Sequence, residues 1–555
     1  MWRRLVRILL PLLFMLPMTF ASAAPVKVAT IHFKPVLGDV PGNRARLLAL
    51  SEQAARAGAK IIVNTEMATS GYAIFSRADM AKVAETIPGA STEAFGKLAK
   101  QYGVYIAIGL PEFEKATDQY FNSAALIAPD GTVAGSYRKR NTLLEASYNA
   151  IAGGPVPIFD TPYGKLAIVI CADLFYPHFA RLAAVEGADI LLAPANTGVD
   201  LSFLKQRARE NDVALIVANR YGTETRGVQV DAFDEDTFTI ASPFPYDFSY
   251  GSLSAIVEHD GKAISQWTDA NDGVVLGEID PPDQHIFPVI RRPDLYALLN
   301  QDTLEGYTFT QLGLPAPAAG ILVAADLGNG THAVSDVVAA LENAITKAKV
   351  EHRKVSLFVL PIGTFATDEE TILDQLAALA KRKSVDLVIP FDNAGAMRQP
   401  TSILFAVDGG EVTLHRYVRT HRLANEGIRP GDDFVIVDRP YGRLSILQGP
   451  DLLAPETTMV MEKLGVDVVA VSADIGTADV DVVWRTRAAD YLNIVVANGS
   501  GDEGVFLGGY PPQPSESVGE GLVLMQSDSG LVRNKKEPRH VDVTPLLVSC
   551  ALSRC

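Results

Sequence analysis

Cysteine is scarce in this chain: three residues in 555, of which only Cys171 lies away from the C-terminal pair Cys550 and Cys555. At most one disulfide can form from the tail pair, which leaves Cys171 as the odd thiol. Beyond the first two dozen residues no apolar run approaches the length that crosses a bilayer, which excludes a polytopic membrane protein. Basic residues are in deficit, 49 Lys and Arg against 65 Asp and Glu, for a formal charge of −16. The sign of that field excludes nucleic acid and anionic lipid as natural partners. The nine histidines show no metal-ligand spacing and no Gly-x-Ser-x-Gly elbow occurs, so neither a zinc centre nor a serine hydrolase is indicated and no cofactor is expected.

What is present begins with a leader. Arg3, Arg4 and Arg7 precede an apolar stretch from Ile8 to Phe20, and Ala21 and Ala23 stand at the spacing a signal peptidase reads. Cleavage is expected after Ala23, with secreted or periplasmic localisation and no stable membrane insertion of the mature chain, whose charge falls to −19 without the three arginines. An uncleaved anchor is the weaker reading, because Pro11 and Pro17 break an already short run. At 48% hydrophobic, 555 residues exceed one ordinary core and imply two or more domains.

Along the mature chain, strand and helix patterns alternate, as in an α/β domain. Strands are expected at Val26 to Ile31, Ile61 to Val63, Val104 to Gly109, Ser123 to Ala128 and Leu166 to Ile170, with helices at Arg46 to Ala57 and near Ser91 to Tyr102. The order then returns. Pro162-Tyr163-Gly164 recurs as Pro440-Tyr441-Gly442, Gly187-Ala188-Asp189 as Gly465-Val466-Asp467, and Asp130-Gly131 as Asp408-Gly409, each displaced by 278. Val217-Ala218-Asn219 recurs as Val496-Ala497-Asn498, displaced by 279. A tandem duplication follows, too large for a solenoid unit. The expected domains are a leader over 1–23, a first domain over 24–305, a linker over 306–319, a second domain over 320–545 and a tail over 546–555.

The first repeat places three reactive groups at strand ends. Strand Ile61-Ile62-Val63 leads into Asn64-Thr65-Glu66-Met67, Lys139 follows Tyr137-Arg138, and Cys171 ends the run from Leu166. Strand ends of an α/β sheet converge on one rim, so Glu66, Lys139 and Cys171 can meet. Each alone reads more blandly, as a core thiol, a surface carboxylate or a basic turn. As an ordered set they supply a nucleophile, a base and a cation, and Lys139 with the N–H groups past the strand is expected to favour the thiolate.

At these residues the sequence resembles the carbon-nitrogen hydrolase (nitrilase) superfamily, whose catalytic set is Glu-Lys-Cys. The matching motifs are the strand into Glu66 followed by Ser70-Gly71-Tyr72, then Tyr137-Arg138-Lys139, and Cys171-Ala172-Asp173 with Pro177 after it. Arg209-Glu210-Asn211, Val217-Ala218-Asn219-Arg220 and Arg291-Arg292-Pro293-Asp294-Leu295-Tyr296 agree, so the likeness spans residues 26 to about 300. The resemblance implies two tandem αββα sandwich domains of nitrilase type and an amidase acting on a small amide through a cysteine thioester. It implies Glu66, Lys139 and Cys171 as catalytic residues, with Glu145 as a second glutamate. Ala172, whose N–H would help hold the oxyanion, Asp173, Tyr72 and Asn196 are the expected binding residues. Thr65 stands where a proline is usual, and Phe175 and His178 replace a common arginine and glutamate, which bears on the substrate pocket.

In the second repeat Ile362 falls on Glu66, Arg419 on Lys139 and Gly449 on Cys171, while Asp451 keeps the place of Asp173. That repeat is expected to be a silent pseudoenzyme domain serving as an intrachain partner, a pseudo-dimer within one chain. No sequence counterpart of Arg291 to Tyr296 closes it. Carbamoylase, nitrilase and pantetheinase-like amidase remain as alternative activities, and a catalytically silent binding or scaffold protein as the alternative of another class.

Overall fold

The structure, a computed structural model, describes residues 25–548 except 75, 143–148, 151–152, 227–245, 283–284, 302–315, 326, 328–331, 351–353, 366–368, 394–397, 475–482, 485, 488–491, 499–503, 509–521 and 534–540. The expected leader, Glu145, most of the expected linker and the Cys550–Cys555 pair lie outside the described residues.

The first half runs through strands β1 (Val26–His32), β2 (Ile61–Val63), β3 (Tyr105–Glu114), β4 (Gln119–Ile127), β5 (Val133–Arg138), β6 (Ile158–Thr161), β7 (Gly164–Ile168), β8 (Ile190–Pro194) and β9 (Ala214–Ala218). It continues through β10 (Gly222–Arg226), β11 (Tyr246–Tyr250), β12 (Ser254–Val257), β13 (Ala263–Trp267) and β14 (Gly273–Ile279). Its helices are α1 (Val40–Arg56), α2 (Arg77–Val83), α3 (Ala90–Tyr102), α4 (Pro177–Val185) and α5 (Leu201–Asn211). Two six-stranded sheets result, in the orders β14-β1-β2-β3-β4-β5 and β13-β12-β9-β8-β7-β6, beside a small β10-β11 ribbon.

The period-2 alternation of the strands explains the layering. In β1, Val26 and Val28 face a core shared with Ile168, Leu191 and Val217 of the other sheet. Ala29 and Ile31 point the other way, onto Leu47 and Ala54 of α1 and Phe95 of α3. Helices therefore cover the outer face of one sheet, α5 covers β9 and β12 of the other, and the inner faces meet: a helix-sheet-sheet-helix sandwich.

The second half repeats this. It contains β15 (Ala319–Ala325), β16 (Val355–Val359), β17 (Asp386–Asn393), β18 (Gln399–Asp408), β19 (Glu411–Val418), β20 (Val435–Arg439), β21 (Gly442–Gln448), β22 (Val468–Ala473), β23 (Asn493–Asn498), β24 (Gly504–Phe506) and β25 (Leu522–Asp528). Its described helices include α6 (Val334–Val350), α7 (Glu369–Lys383) and α8 (Pro455–Lys463). The sheet orders β25-β15-β16-β17-β18-β19 and β24-β23-β22-β21-β20 follow those of the first half, one edge strand fewer in the second sheet.

The halves meet along α4 and α8. Arg181 Nε on α4 lies 2.8 Å from Glu456 Oε1 on α8, Arg291 Nε reaches the same oxygen at 2.8 Å, and Arg487 Nη2 reaches Glu210 Oε2 at 2.6 Å. All these side chains are buried.

Three expectations need correction. The strand expected over Leu166 to Ile170 is Gly164–Ile168, because Asp173 Oδ2 takes the Ile170 N–H at 3.0 Å and turns the chain out of the sheet. The helix expected from Arg46 starts at Val40, where the Asp39 side chain caps the Gly42 N–H at 3.0 Å. The second half does have a counterpart of the Arg291 to Tyr296 arm. Pro293–Leu295 and Ala297–Asn300 form 3-10 turns, the latter against α8, and Thr544–Leu547 forms one against α4. Val289 bridges Leu423 of the second half, and Val541 bridges Gly154 of the first.

Candidate active site

Glu66 stands on a turn held tightly under β3. Ala68 N–H bonds Gly109 O at 2.8 Å, and a Cβ on Gly109 would lie 2.4 Å from Thr65 O and 2.8 Å from Glu66 Cα, so only glycine admits the turn. Glu66 itself is fully buried. Its Oε1 accepts from Lys139 Nζ at 2.8 Å and from Asn122 Nδ2 at 2.7 Å, while Oε2 has no hydrogen-bond partner among the described residues.

Lys139 is fixed from its backbone, its N–H bonding Asn122 O at 2.7 Å just past β5. Its ammonium lies 5.4 Å from the centre of the Tyr72 ring, so an aromatic face and a carboxylate bracket a cation that no water reaches.

Cys171 begins a 3-10 turn, Cys171–Leu174, with φ at +49°, a left-handed backbone that a cysteine adopts only where its surroundings hold it. Asp173 does the holding. Its Oδ1 accepts from Asn141 N–H at 2.8 Å, and its Oδ2 accepts from Tyr137 OH at 2.8 Å and Ile170 N–H at 3.0 Å. Burial pushes the Asp173 carboxyl up to about 6. Expected as a binding residue, Asp173 has both oxygens engaged inside the protein and acts by positioning the turn. Ala172, buried, is second in that turn, where the first N–H groups of a helical turn have no intrahelical acceptor.

The expected low-pKa thiolate is a further correction. Burial, and next the Glu66 charge, push the Cys171 thiol well above its ordinary range, and Lys139 and the Asn196 backbone N–H only partly offset them. At rest the sulfur keeps its proton, beside a carboxylate.

Asn196 ends the loop after β8, and its side-chain oxygen and nitrogen are both buried without a partner among the described residues. A buried amide left open on both sides, on the residue whose N–H reaches the cysteine, is a natural contact for a polar substrate. Tyr72 N–H and Ala73 N–H both donate to Glu224 Oε2, at 3.0 and 2.9 Å, and Tyr250 OH donates to the same oxygen at 3.0 Å. Glu224 Oε1 pairs with Arg220.

Glu66, Lys139, Cys171, Tyr72 and Asn196 are thus brought together. Asn122 and Glu224 were missed from sequence, although Glu224 has a local signal, lying four residues after Arg220. Phe175 packs edge-on to Phe203 with centroids 6.4 Å apart, and burial drives His178 down to about 3, so it stays neutral. Among the described residues no group of three or more His, Cys, Asp or Glu could hold a metal, and no helix is long and apolar enough to cross a membrane.

Residues 27–284 match the family described as Carbon-nitrogen hydrolase. A nitrilase of Pyrococcus abyssi is 32% identical over 208 residues, covering 37% of this chain and 78% of that protein. An N-carbamoylputrescine amidase of Solanum lycopersicum is 30% identical over 308 residues, covering 51% and 96%. Among solved structures, an amidase from Nesterenkonia sp. aligns at 20% identity with a TM-score of 0.37, covering 47% of this chain and 91% of its own.

Proposed function

The chain belongs to the carbon-nitrogen hydrolase family of the nitrilase superfamily, and from that premise we propose that its first half is a thiol amidohydrolase cleaving the C–N bond of a small linear amide. The observation that carries this reading is the buried cluster itself: Lys139 on one Glu66 oxygen, the other oxygen without a partner, and a protonated Cys171 under the influence of that charge.

The steps follow from those groups. Glu66 takes the Cys171 proton as Sγ bonds to the amide carbonyl carbon. The oxygen that becomes negative is held by Lys139 Nζ and the Ala172 N–H. Protonated Glu66 then gives its proton to the departing nitrogen, and the C–N bond breaks to release the amine or ammonia and leave a thioester. Glu66, again a base, deprotonates water, which attacks the thioester; the acid leaves and the thiol is restored. Asn196 and the Tyr72 face are the neutral polar and apolar walls such a substrate needs. A primary amide is favoured over a nitrile or carbamoyl substrate by the aspartate after the cysteine.

The second half is the silent member of the pair and the built-in partner of the first. The leader makes the protein an exported one, with a mature chain starting at Ala24. Ammonia release and acid formation from a panel of primary amides, carbamoyl amino acids and nitriles test the reading. Stoichiometric acid and ammonia from at least one amide, abolished by Cys171→Ala, are expected. No turnover across the panel, with Cys171 inert to labelling in the folded chain, would favour the silent scaffold reading.

A further inference from the structure

The second half carries a cavity where the first half holds its reactive cluster. Three backbone contacts fix the correspondence. Leu360 N–H bonds Val388 O at 3.0 Å as Asn64 N–H bonds Ala107 O at 2.9 Å, which puts Ile362 where Glu66 stands. Arg419 N–H bonds Pro400 O at 2.9 Å as Lys139 N–H bonds Asn122 O at 2.7 Å. Gln448 N–H bonds Asp451 Oδ2 at 2.8 Å as Ile170 N–H bonds Asp173 Oδ2 at 3.0 Å, which puts Gly449 where Cys171 stands. The scaffold of the site is therefore retained while its reactive groups are gone.

The space between them is not filled. A cavity of about 50 Å³ remains, with Ile362, Phe365, Phe391, Arg398, Arg419 and Gln448 in its lining. That is room for about three or four water-sized groups.

The lining has changed sign relative to the first half. There, the Glu66 carboxylate balances the Lys139 ammonium. In the second half isoleucine replaces the acid, Arg419 keeps the positive charge in a bidentate form, and Arg398 adds a second guanidinium at the rim. Glu426 offsets one of the two through an ion pair with Arg419 Nη2. Arg419 is 5% exposed, and its Nε has no hydrogen-bond partner among the described residues. The Gln448 amide is held by Nε2 on Ser402 Oγ at 3.2 Å, while its buried Oε1 lacks a donor. An unpartnered cationic donor and an unpartnered neutral acceptor thus border one small cavity with aromatic walls.

We propose that this cavity is a binding site for a short carboxylate that carries a hydroxyl or amino group. Arg419 and Arg398 hold the carboxylate, Gln448 Oε1 accepts from the hydroxyl or amino group, and Phe365 and Phe391 flank the carbon chain. Lacking nucleophile and base, the site binds without turnover.

L-lactate is a suitable probe, with lactamide lacking the charge and propionate lacking the hydroxyl. Calorimetric titration of the full-length chain should show one lactate site, with lactamide at least tenfold weaker and propionate weaker by a smaller factor. Arg419→Gln should weaken lactate at least tenfold and Arg398→Gln several-fold. Ile362→Glu, which restores the lost acid, should also abolish binding. Should Arg419→Gln fail to fold, the exposed Arg398→Gln decides alone. No lactate binding at tens of millimolar, equal binding of lactamide, or lactate binding unchanged in every folded variant would overturn the proposal.

Discussion

Cys171 is a nucleophile whose surroundings hold its proton on. Burial and the Glu66 charge raise the thiol, so brief iodoacetamide treatment at pH 7 should modify it more slowly than an exposed thiol of pKa about 8.5. The rate should climb as pH rises, read by mass spectrometry on a chain whose tail cysteines are replaced. Glu66→Gln separates two roles. Removing its charge should speed alkylation at pH 7, while loss of the base lowers turnover by roughly 10²–10⁴-fold. A variant that alkylates faster and still turns over within tenfold of wild type would remove Glu66 as the base. Cys171→Ala should abolish turnover and leave the fold intact, since it deletes one sulfur from a buried site; circular dichroism and the ammonia assay check both halves of that statement. Glu66, Lys139 and Cys171 were legible in the sequence because each is a rare type at a strand end. Asn122 and Glu224 were not, because what they do depends on contacts between distant segments, Glu224 meeting the Tyr72 N–H across 152 residues.

Among the elements, the alternation of strand and helix was legible wherever apolar periodicity runs uninterrupted, and it failed where a side chain competes for the backbone. Nothing in Leu166 to Ile170 distinguishes its last two residues from a strand. Asp173 reaches back to the Ile170 N–H and does so again, as Asp451, at Gln448. The closing arm of the second half was missed for a different reason: Thr544–Leu547 keeps the 3-10 turn and its early proline but little else of Pro293–Leu295. At the junction of α4 and α8 the two halves differ in charge where they agree in shape. His178 follows the first residue of α4 as Glu456 follows that of α8, and His178 is neutral whereas Glu456 collects two guanidinium groups. Burial opposes its ionisation, yet Arg181 and Arg291 hold the Glu456 carboxyl at about 2. A depressed folded-state value means stability that is present above the unfolded value of about 4.3 and lost as pH falls toward 2. The contribution is on the order of 3 kcal/mol. Glu456→Gln should lower the melting temperature at pH 7 and flatten the acid limb of the stability curve between about pH 4.3 and 2. An unchanged acid limb in a folded variant would show that this carboxylate does not set it.

For the whole molecule, the question is why a half without Glu, Lys or Cys in place should persist beside one that has them. Helix α4 supplies the physical answer. Pro177 through Ala184 are all buried, on every side of the helix, which an edge helix of a lone sandwich could not be. One side meets α5, another α8, and the last turn lies under Thr544–Leu547. The 3-10 turn that carries Cys171 leads directly into this helix, so the packing that fixes α4 also fixes the nucleophile. Arg181 and Arg291 both take their carboxylate from the second half, Arg291 also donates to Leu546 O at 2.8 Å, and Tyr296 OH meets His421 Nε2 at 2.8 Å. Joined in one chain, the two surfaces see each other at an effective concentration of roughly millimolar or more, so docking does not depend on protein concentration. Cutting the gene near Leu314 would expose an apolar helix face and leave Arg181 and Arg291 without Glu456. The first half alone should then be insoluble or associate with itself, and it should lose activity in proportion to the disorder of its Cys171 turn. Solubility, mass in solution and ammonia release measured on that fragment, then again after the second half is added back, test the pairing. A soluble monomer with full activity would show that the second half is not its structural partner, while activity recovered only on adding the second half would tie the geometry of Cys171 to the packing of α4 on α8.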